Sequence, residues 1–464
     1  MEPLYGRPWL FESASERTRT HSGRALEVMR KNGFFRLPCF ALFGFLCLPL
    51  SAKRIPMALP EEVGMSSERL ARIRPVMQSY VDRGEVAGVV TLVARRGRIT
   101  WMDAVGMSDL AAKKPMKVDT IFWIASMTKP ITSVAAMMLC EQGYFLLTDP
   151  VSKFIPEFKN SKVAVPPKLP ESTNQPFFTV PAEREITIQD LLTHTAGLAN
   201  SRGLCSDLYR KMQAETRSNE TVGDIVKRLA RIPLKFQPGS AWDYGAATDV
   251  VGYLVEVISG MTLDQFLRER VFQPLGMNDT YFYLPNEKLQ RRAVLYTPSE
   301  HGGLQPSDLP RGIADSGTGA GITRPKRYYG GGGLLSTPAD YLRFHQMMLN
   351  GGELDGVRLL GRKTVELMTT NHIRDLPMTS TPEWRTTRWN GFRFGLGYRI
   401  RADLGESALP GSLGTYGWEG SGSSYFWVDP KEQMVGILMC QVYPYPHLNI
   451  RYDFQILANA AIVD

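Results

Sequence analysis

The sequence predicts an α/β protein of the α+β type, in which a mixed, mainly antiparallel sheet is flanked by helices. Patterns typical of paired strands occur near both ends of the chain, at 87–94 with 99–105 and at 425–428 with 434–441. Between these ends the sequence is mostly helical in pattern and rich in loops. We therefore expect one sheet that both chain ends complete, with a mostly helical domain inserted between them.

The first predicted elements are a helix and a strand pair. Ser66 and Ser67 are residues that favour a helix N-cap. Apolar residues follow at helical spacing: Leu70, Ile73, Met77, Tyr80 and Val81. The strands at 87–94 and 99–105 are joined by a predicted turn at 95–98.

The last predicted elements are a second strand pair and a closing helix. Asp429 and Pro430 are typical turn residues and separate the strands at 425–428 and 434–441. An amphipathic helix is predicted from about 449 to 462. The body then divides into a discontinuous α/β domain at 55–125 and 325–464 and a mostly helical domain at 126–324. We expect the active site at their junction.

Composition excludes several classes of protein. The 464 residues are 43% hydrophobic and 22% charged, which excludes a fibrous or wholly disordered chain. The formal charge of +8 is concentrated in residues 1–54, which carry a net +5, so the body is nearly neutral and no nucleic-acid partner is expected. The five cysteines and six histidines form no zinc pattern. We expect neither a metal nor an organic cofactor, and the composition leaves the oligomeric state open.

Residues 1–54 are predicted to be a leader-like extension. At 29–52 a basic stretch precedes an apolar run at 37–50 and then Ser51 and Ala52, the order found in secretory signals. The run of 14 residues is short for a membrane span, which needs about 20, so no stable span is expected in the body. If this leader is used, the protein is exported to the periplasm; otherwise it is cytoplasmic. Met1 and Met29 both remain candidate starts.

Ser126 and Lys129 form the first motif that indicates a catalytic function. The chain contains no Gly-x-Ser-x-Gly, which disfavours a nucleophile-elbow hydrolase. Ser126-Met127-Thr128-Lys129 supplies Ser-x-x-Lys, and on a helix positions i and i+3 share one face. A helix N-terminus also offers free N–H groups for an oxyanion. Pro130 fits only in the first turn, where a missing N–H costs nothing.

A serine nucleophile also needs a base. An ordinary Lys or Tyr is protonated at neutral pH, but burial favours a neutral Lys and nearby cations favour an ionised Tyr. Tyr244 follows a turn at 238–243 and precedes an apolar helix that begins near Asp249. It could serve as the base alone or with Lys129, or it could be an ordinary buried tyrosine.

Five motifs in order resemble one family. They are Ser126 to Lys129, the stretch at 191–198 (Leu-Leu-Thr-His-Thr-Ala-Gly-Leu), the stretch from Pro238 to Tyr244, the stretch at 331–338 (Gly-Gly-Gly-Leu-Leu-Ser-Thr-Pro), and Tyr416-Gly417-Trp418-Glu419-Gly420. Together they resemble the family VIII carboxylesterases of the class C β-lactamase-like superfamily, which also contains the penicillin-binding proteins. The resemblance runs from about Leu59 to the C-terminus and implies a serine β-lactamase-like fold.

The resemblance implies a role for each matching residue. Ser126 would be the acylated nucleophile, and Lys129 with Tyr244 would transfer protons, Tyr244 being the base in acylation. The backbone N–H groups of Ser126 and Ser421 would form the oxyanion hole. The substrate pocket would be formed by three residues: Trp418, Gly420 and Trp242. His194 is expected to shape the helical domain rather than to act in catalysis.

The motifs depart from the β-lactamase pattern in two places. The second motif is Tyr244-Gly245-Ala246, which lacks the asparagine of Tyr-x-Asn, and the third is Trp418-Glu419-Gly420, which lacks the lysine of Lys-Thr-Gly. A charged hydrogen bond of the missing kind contributes about 1.5–3 kcal/mol. Glu419 would also repel an anionic substrate if its side chain faced the cleft. The departures favour neutral, short-to-medium-chain esters, with cephalosporin hydrolysis as a side activity.

Other functions of the same scaffold stay open at this point. A β-lactamase, a D-alanyl carboxypeptidase and an acyltransferase would share Ser126, Lys129 and Tyr244. A non-enzymatic alternative is a binding or sensor module that is acylated once and does not turn over.

Overall fold

The computed structural model describes residues 54–167, 176–307, 326–379, 390–444 and 448–464. The predicted leader at 29–52 lies outside the described residues, as do both sides of the predicted boundary between 324 and 325. The described residues form one compact unit. The division of this unit into two domains stays a prediction.

The strands of the main sheet lie toward the two ends of the chain, as the sequence predicts, and short strands that pair outside this sheet lie between them. In chain order they are β1 Gly88–Arg95, β2 Arg98–Asp109, β3 Lys114–Pro115, β4 Phe122–Trp123, β5 Lys162–Val165, β6 Phe178–Pro181, β7 Tyr296–Pro298, β8 Leu304–Pro306, β9 Leu335–Ser336, β10 Glu353–Leu354, β11 Val357–Arg358, β12 Phe392–Phe394, β13 Arg399–Arg401, β14 Tyr416–Glu419, β15 Tyr425–Asp429 and β16 Met434–Cys440.

One sheet joins the two ends. Its eight strands lie in the order β12-β13-β14-β15-β16-β1-β2-β3, and each described pair is antiparallel. The chain ends meet where β1 pairs with β16, with Val89 opposite Cys440 and Arg95 opposite Met434. The predicted fold class is confirmed, and the sheet is antiparallel in every described pairing. The other strands form short pairs: β4-β9, β5-β6, β7-β8 and β10-β11.

The helices cover the sheet and fill the middle of the chain. In chain order they are α1 Ser67–Leu70, α2 Ile73–Asp82, α3 Thr128–Glu141, α4 Ile188–Leu192, α5 Ser206–Ala214, α6 Val222–Leu229, α7 Ala247–Ser259, α8 Leu263–Leu267, α9 Gln273–Leu275, α10 Pro338–Leu349, α11 Arg362–Met368 and α12 Ile450–Ala460. A π-helical segment, Arg268–Phe272, joins α8 to α9. Short 3-10 turns lie at Pro60–Val63, Ala125–Met127, Val151–Lys153, Pro156–Phe158 and Asn286–Arg291.

Strand β1 explains how the sheet is buried on both faces. All eight of its residues are buried, and alternate side chains belong to different cores. Val90 and Leu92 join the larger core, while Val89 and Val93 join the smaller one. Helices α2 and α12 pack together and against the sheet, whereas α10 contacts β1 and β16. A continuous apolar strand is what a sheet covered on both faces requires.

The helical middle is organised around α7. This helix packs against α3, α4, α6 and α8, and α3 begins directly after the 3-10 turn that contains Ser126. Among the described helices, none is by itself long and apolar enough to cross a membrane. Helix α7 and the segment Leu263–Leu275 reach that length and apolarity only when they are taken together, and the two are bent by 81° relative to each other.

The sequence analysis missed β12 and β13, and their burial explains why. Each strand has three residues, and Arg399 and Arg401 are 2% and 1% exposed although arginine usually signals a surface. Both guanidinium groups lie over the ring of Phe392, at 4.4 and 4.9 Å from its centroid. Burial of these cations against an aromatic face has no sequence signature.

His345 is a polar side chain that packs against residues of the larger core. It lies in α10, is fully buried, and stacks on Phe426 with the ring centroids 4.0 Å apart. No hydrogen-bond partner in the described part of the chain contacts either ring nitrogen. Burial holds the pKa of His345 well below its ordinary value. The folded protein therefore keeps this ring neutral.

Replacing His345 with phenylalanine is expected to increase the free energy of unfolding by about 1–3 kcal/mol, because an unpaired buried polar group is removed. As pH falls below about 6.5, the unfolded chain binds a proton that the folded chain does not. Stability is thus lost on the acid side, and His345→Phe should lose less. Urea unfolding at pH 5 and pH 8 measures this difference. His301→Ala, at an exposed position, is the control; equal pH dependence in wild type and His345→Phe contradicts the prediction.

Candidate active site

Ser126 lies in a strained turn at the start of α3. The 3-10 turn Ala125–Met127 leads into the helix, and Ala125 has φ +47°, a left-handed conformation that favours glycine. Strain of this kind is common where a structure fixes a reactive side chain. Pro130 occupies the third position of α3, within the first turn, as the sequence requires.

Lys129 is held against Ser126. Its side chain is buried, and Nζ donates hydrogen bonds to Ser126 Oγ at 3.2 Å and to the carbonyl oxygen of Gly331 at 2.6 Å. The three-residue spacing on one turn therefore brings amine and hydroxyl together, as the motif predicts. The loop at 330–333 supplies the second acceptor.

Tyr244 reaches the same point from the other side. Lys129 Nζ lies 4.6 Å from the centroid of its ring. The backbone carbonyl of Tyr244 accepts hydrogen bonds from Asn200 Nδ2 at 3.2 Å and Arg202 Nη2 at 3.3 Å, which fix the segment that leads into α7. The structure thus brings together the three side chains predicted to carry catalysis.

An aromatic cluster packs behind Tyr244. The ring centroids of Trp418, Trp242 and His194 lie 5.2, 6.3 and 4.9 Å from that of Tyr244. Trp418 and Trp242 are buried and support Tyr244 rather than lining the open cavity, which differs from the expected pocket. Burial and the charge of Lys129 hold the pKa of His194 well below its ordinary value, so its ring is neutral.

The third motif touches the Ser126 turn through Gly420. A Cβ atom at Gly420 would lie 2.5 Å from the carbonyl oxygen of Ile124, so only glycine allows this approach. Glu419 forms a buried ion pair with Arg451 of α12. Its charge is therefore neutralised within the protein, and the repulsion considered in the sequence analysis has no basis in this arrangement.

A cavity of about 230 Å³ opens beside the nucleophile. It is lined by Trp123, Ala125, Ser126, Lys129, Tyr209, Gln213, Asp249, Tyr329, Gly331, Gly332 and Ser421. Both residues predicted to supply oxyanion N–H groups, Ser126 and Ser421, belong to this wall. A larger cavity of about 610 Å³ lies near Arg54 and Gln346 but contains none of the predicted catalytic residues. Because it contains Ser126 and Lys129, the smaller cavity is the candidate active site.

Several lining residues escaped the sequence analysis. Trp123 lies three residues before Ser126, and Asp249 lies five residues after Tyr244, in the first turn of α7. Their closeness in sequence to the motifs was the one feature that could have indicated a place in the site. Tyr209 and Gln213 come from α5, which carries no motif.

Within the described ranges, no group of three or more His, Cys, Asp or Glu side chains could hold a metal ion.

The fold and this site define a serine hydrolase of the beta-lactamase fold. The model of the Beta-lactamase family matches residues 73–460, so the chain belongs to that family. Two similar proteins, Esterase EstB and EstCE1, confirm the resemblance to family VIII carboxylesterases.

Esterase EstB of Burkholderia gladioli is 30% identical over 372 residues, covering 77% of this chain and 86% of EstB. The solved structure described as "EstCE1, a hydrolase with promiscuous acyltransferase activity" is 27% identical, with a TM-score of 0.68, and covers 84% of this chain and 98% of that one. Protein Rv1367c of Mycobacterium tuberculosis is 36% identical over 391 residues, covering 83% of this chain and 91% of its own length.

Substituting Gly420 with alanine is expected to lower kcat strongly, because the added methyl must displace the Ile124 carbonyl and with it the Ser126 turn. A displacement of about 1 Å in an active site can cost about 100-fold in rate. Turnover of p-nitrophenyl butyrate measures the effect, provided the wild type hydrolyses it. Gly405→Ala is the matched control, since its Cβ would meet only Asp403 Oδ1 at 3.5 Å. Equal rates for the two variants contradict the assignment.

Proposed function

We propose that this protein is a carboxylesterase that hydrolyses neutral, short-to-medium-chain esters through an acyl-enzyme on Ser126. The observation that carries the proposal is the position of Lys129 Nζ, 3.2 Å from Ser126 Oγ and 4.6 Å from the Tyr244 ring. One buried amine therefore lies within hydrogen-bond distance of the nucleophile and over the ring of the candidate base, an arrangement suited to a serine nucleophile that has no histidine base.

Acylation begins with proton transfer. Tyr244 acts as the base, assisted by Lys129, and takes the proton of Ser126 while Oγ forms a bond to the ester carbonyl carbon. The carbonyl oxygen becomes an oxyanion, to which the backbone N–H groups of Ser126 and Ser421 donate hydrogen bonds. When the tetrahedral intermediate collapses, the ester C–O bond breaks and the alcohol oxygen takes the proton from Tyr244.

Deacylation repeats the path with water. Tyr244 removes a proton from water, whose oxygen attacks the acyl carbon, and the same two N–H groups hold the second oxyanion. Ser126 Oγ then leaves and recovers its proton from Tyr244. The carboxylic acid departs, and no cofactor takes part in the cycle that we propose.

The cavity supports small, neutral substrates. Its volume of about 230 Å³ lies below the roughly 300–1,000 Å³ of most ligand pockets. The rings of Trp123 and Tyr329 line this space and suit an apolar group. The sequence also lacks the lysine that would bind the carboxylate of a β-lactam. These features favour esters over lactams while leaving cephalosporin cleavage as a slow side reaction.

Acyl transfer to an alcohol is a second candidate activity. It uses the same acyl-enzyme, with an alcohol in place of water, and EstCE1 is described as a hydrolase with promiscuous acyltransferase activity. In this reaction the alcohol oxygen forms the new ester bond and Tyr244 takes its proton.

The wild type is expected to hydrolyse p-nitrophenyl butyrate much faster than a chromogenic cephalosporin, because the acylation groups are present and the lactam-binding lysine is not. Ser126→Ala should abolish turnover. Tyr244→Phe should reduce kcat by about 10²–10⁴-fold, the usual contribution of a general base. Steady-state rates of the three purified proteins on both substrates measure this.

His372→Ala serves as the control variant, because that histidine bonds Gln189 and Leu367 away from the cavity lining. Ester activity that survives in Ser126→Ala would show that the nucleophile is wrong. A cephalosporin rate equal to the ester rate would contradict the proposed substrate class.

Acyl-chain length is expected to limit the rate. For p-nitrophenyl esters of two to twelve carbons, kcat/KM should be highest near four carbons and fall by at least about tenfold at twelve, since one misfit methylene is worth about 1–3 kcal/mol. A series measured below the critical micelle concentration tests this. A maximum at twelve carbons would contradict the size argument.

A further inference from the structure

Asp249 shares the active-site cavity with Ser126 but belongs to none of the recognised motifs. It lies in the first turn of α7, five residues after Tyr244. Its Oδ1 atom accepts a hydrogen bond from the backbone N–H of Gly331 at 2.7 Å. The carbonyl of that same residue accepts from Lys129. A single glycine thus connects a carboxylate to the catalytic amine.

The loop at 330–333 is fixed by side chains that converge on its backbone. Its carbonyl groups accept three hydrogen bonds: Gly330 from Thr132 Oγ1 at 2.8 Å, Gly331 from Lys129 Nζ at 2.6 Å, and Gly332 from Trp123 Nε1 at 2.7 Å. The loop therefore presents its carbonyl oxygens to side chains on the nucleophile's side of the cavity.

The N–H groups of the loop are bound differently. Those of Gly332 and Gly333 bond to the carbonyl of Tyr329 at 3.3 and 3.0 Å, within the turn itself. The N–H of Gly331 bonds to the Asp249 side chain instead. A Cβ at Gly331 would lie 2.9 Å from Asp249 Oδ1, so the absence of a side chain permits this close contact.

We propose that Asp249 is a positioning residue, which holds the Gly331 backbone so that its carbonyl keeps Lys129 directed at Ser126. This inference rests on the proposed function of Ser126 and Lys129. Glycine rotates easily about its backbone bonds, and the Asp249 contact restrains that freedom at Gly331. Without it the carbonyl turns away, and Lys129 loses the shorter of its two hydrogen bonds.

The electrostatic setting is consistent with this role. Burial raises the pKa of Asp249 above its ordinary value, and the charge of Lys129 and the hydrogen bond from the Gly331 N–H offset only part of that rise. The carboxylate thus depends on the same two groups that it organises. A hydrogen bond from a backbone N–H to a carboxylate is shorter and stronger than one between neutral groups.

A role confined to the end of a helix is the competing explanation, since an acidic side chain in a first turn stabilises any helix. The chain contains a matched case. Asp224 occupies the third position of α6, as Asp249 does in α7, and within the described residues its carboxylate accepts hydrogen bonds from Thr221. A variant at Asp224 therefore reports the general effect of removing such a residue.

The test compares wild type with Asp249→Ala, Asp249→Asn and Asp224→Ala. Asparagine retains an oxygen that can accept from Gly331 N–H, whereas alanine does not. We expect Asp249→Ala to lower kcat for p-nitrophenyl butyrate by about 10- to 100-fold, the value of one charged hydrogen bond, with KM little changed. Asp249→Asn should recover most of this loss, and Asp224→Ala should retain full activity.

A second measurement does not need ester turnover. A fluorophosphonate reacts as Ser126 Oγ gives its proton to Tyr244, bonds to phosphorus and displaces fluoride, so its labelling rate reports nucleophilic attack without deacylation. The rate should follow the same order among the four proteins. If wild type is labelled but hydrolyses no ester, the proposed function fails while the labelling series still decides the role of Asp249.

Three results would overturn the inference. They are an Asp249→Ala variant as active as wild type, an Asp249→Asn variant as impaired as Asp249→Ala, and an equal loss in Asp224→Ala. Melting temperatures of all four proteins accompany the rates. If Asp249→Ala does not fold, Asp249→Asn carries the decision: near-wild-type kcat and labelling support the role, and a large loss in a folded protein overturns it.

Discussion

The position of the Lys129 amine is the constraint on which the active site depends. Nζ has to reach Ser126 Oγ and the Tyr244 ring at once, and it does so from a buried side chain whose second partner is a backbone carbonyl. Three segments far apart in sequence are thereby fixed relative to one another: the start of α3, the segment before α7 and the glycine loop before β9. The antiparallel sheet supplies the frame, because the motif at 416–420 ends β14 and meets the Ser126 turn at Gly420.

Burial decides the charge state of the groups around that amine. The rings behind Tyr244 exclude water, and His194 among them is neutral for that reason and because of the nearby cation. Charges that would disturb this balance are paired elsewhere, as Glu419 is with Arg451. A low-dielectric site of this kind strengthens each remaining electrostatic interaction. The reactive groups are therefore few and close together.

Local patterns in the sequence predicted the parts of this arrangement that are local in space. The Ser126–Lys129 contact follows from helix geometry, and both strand pairs follow from apolar runs interrupted by turns. What stayed hidden depends on partners far along the chain. Trp123, Tyr209 and Asp249 enter the cavity only because the fold brings their segments together, and the direction of Glu419 is set by Arg451. The strands β12 and β13 were missed because their arginines are buried against Phe392, a contact invisible to periodicity.

The burial of Trp418 has an evolutionary consequence. Class C β-lactamases carry a lysine at this point of the third motif, so an exchange of specificity would seem to need one substitution. Here the indole packs between Tyr244 and Phe394, with ring centroids 5.2 Å from each. A lysine in its place would leave that space partly empty and put a second cation against the ring that Lys129 already contacts. A lysine at this position is therefore expected to need accompanying changes in the residues packed around it.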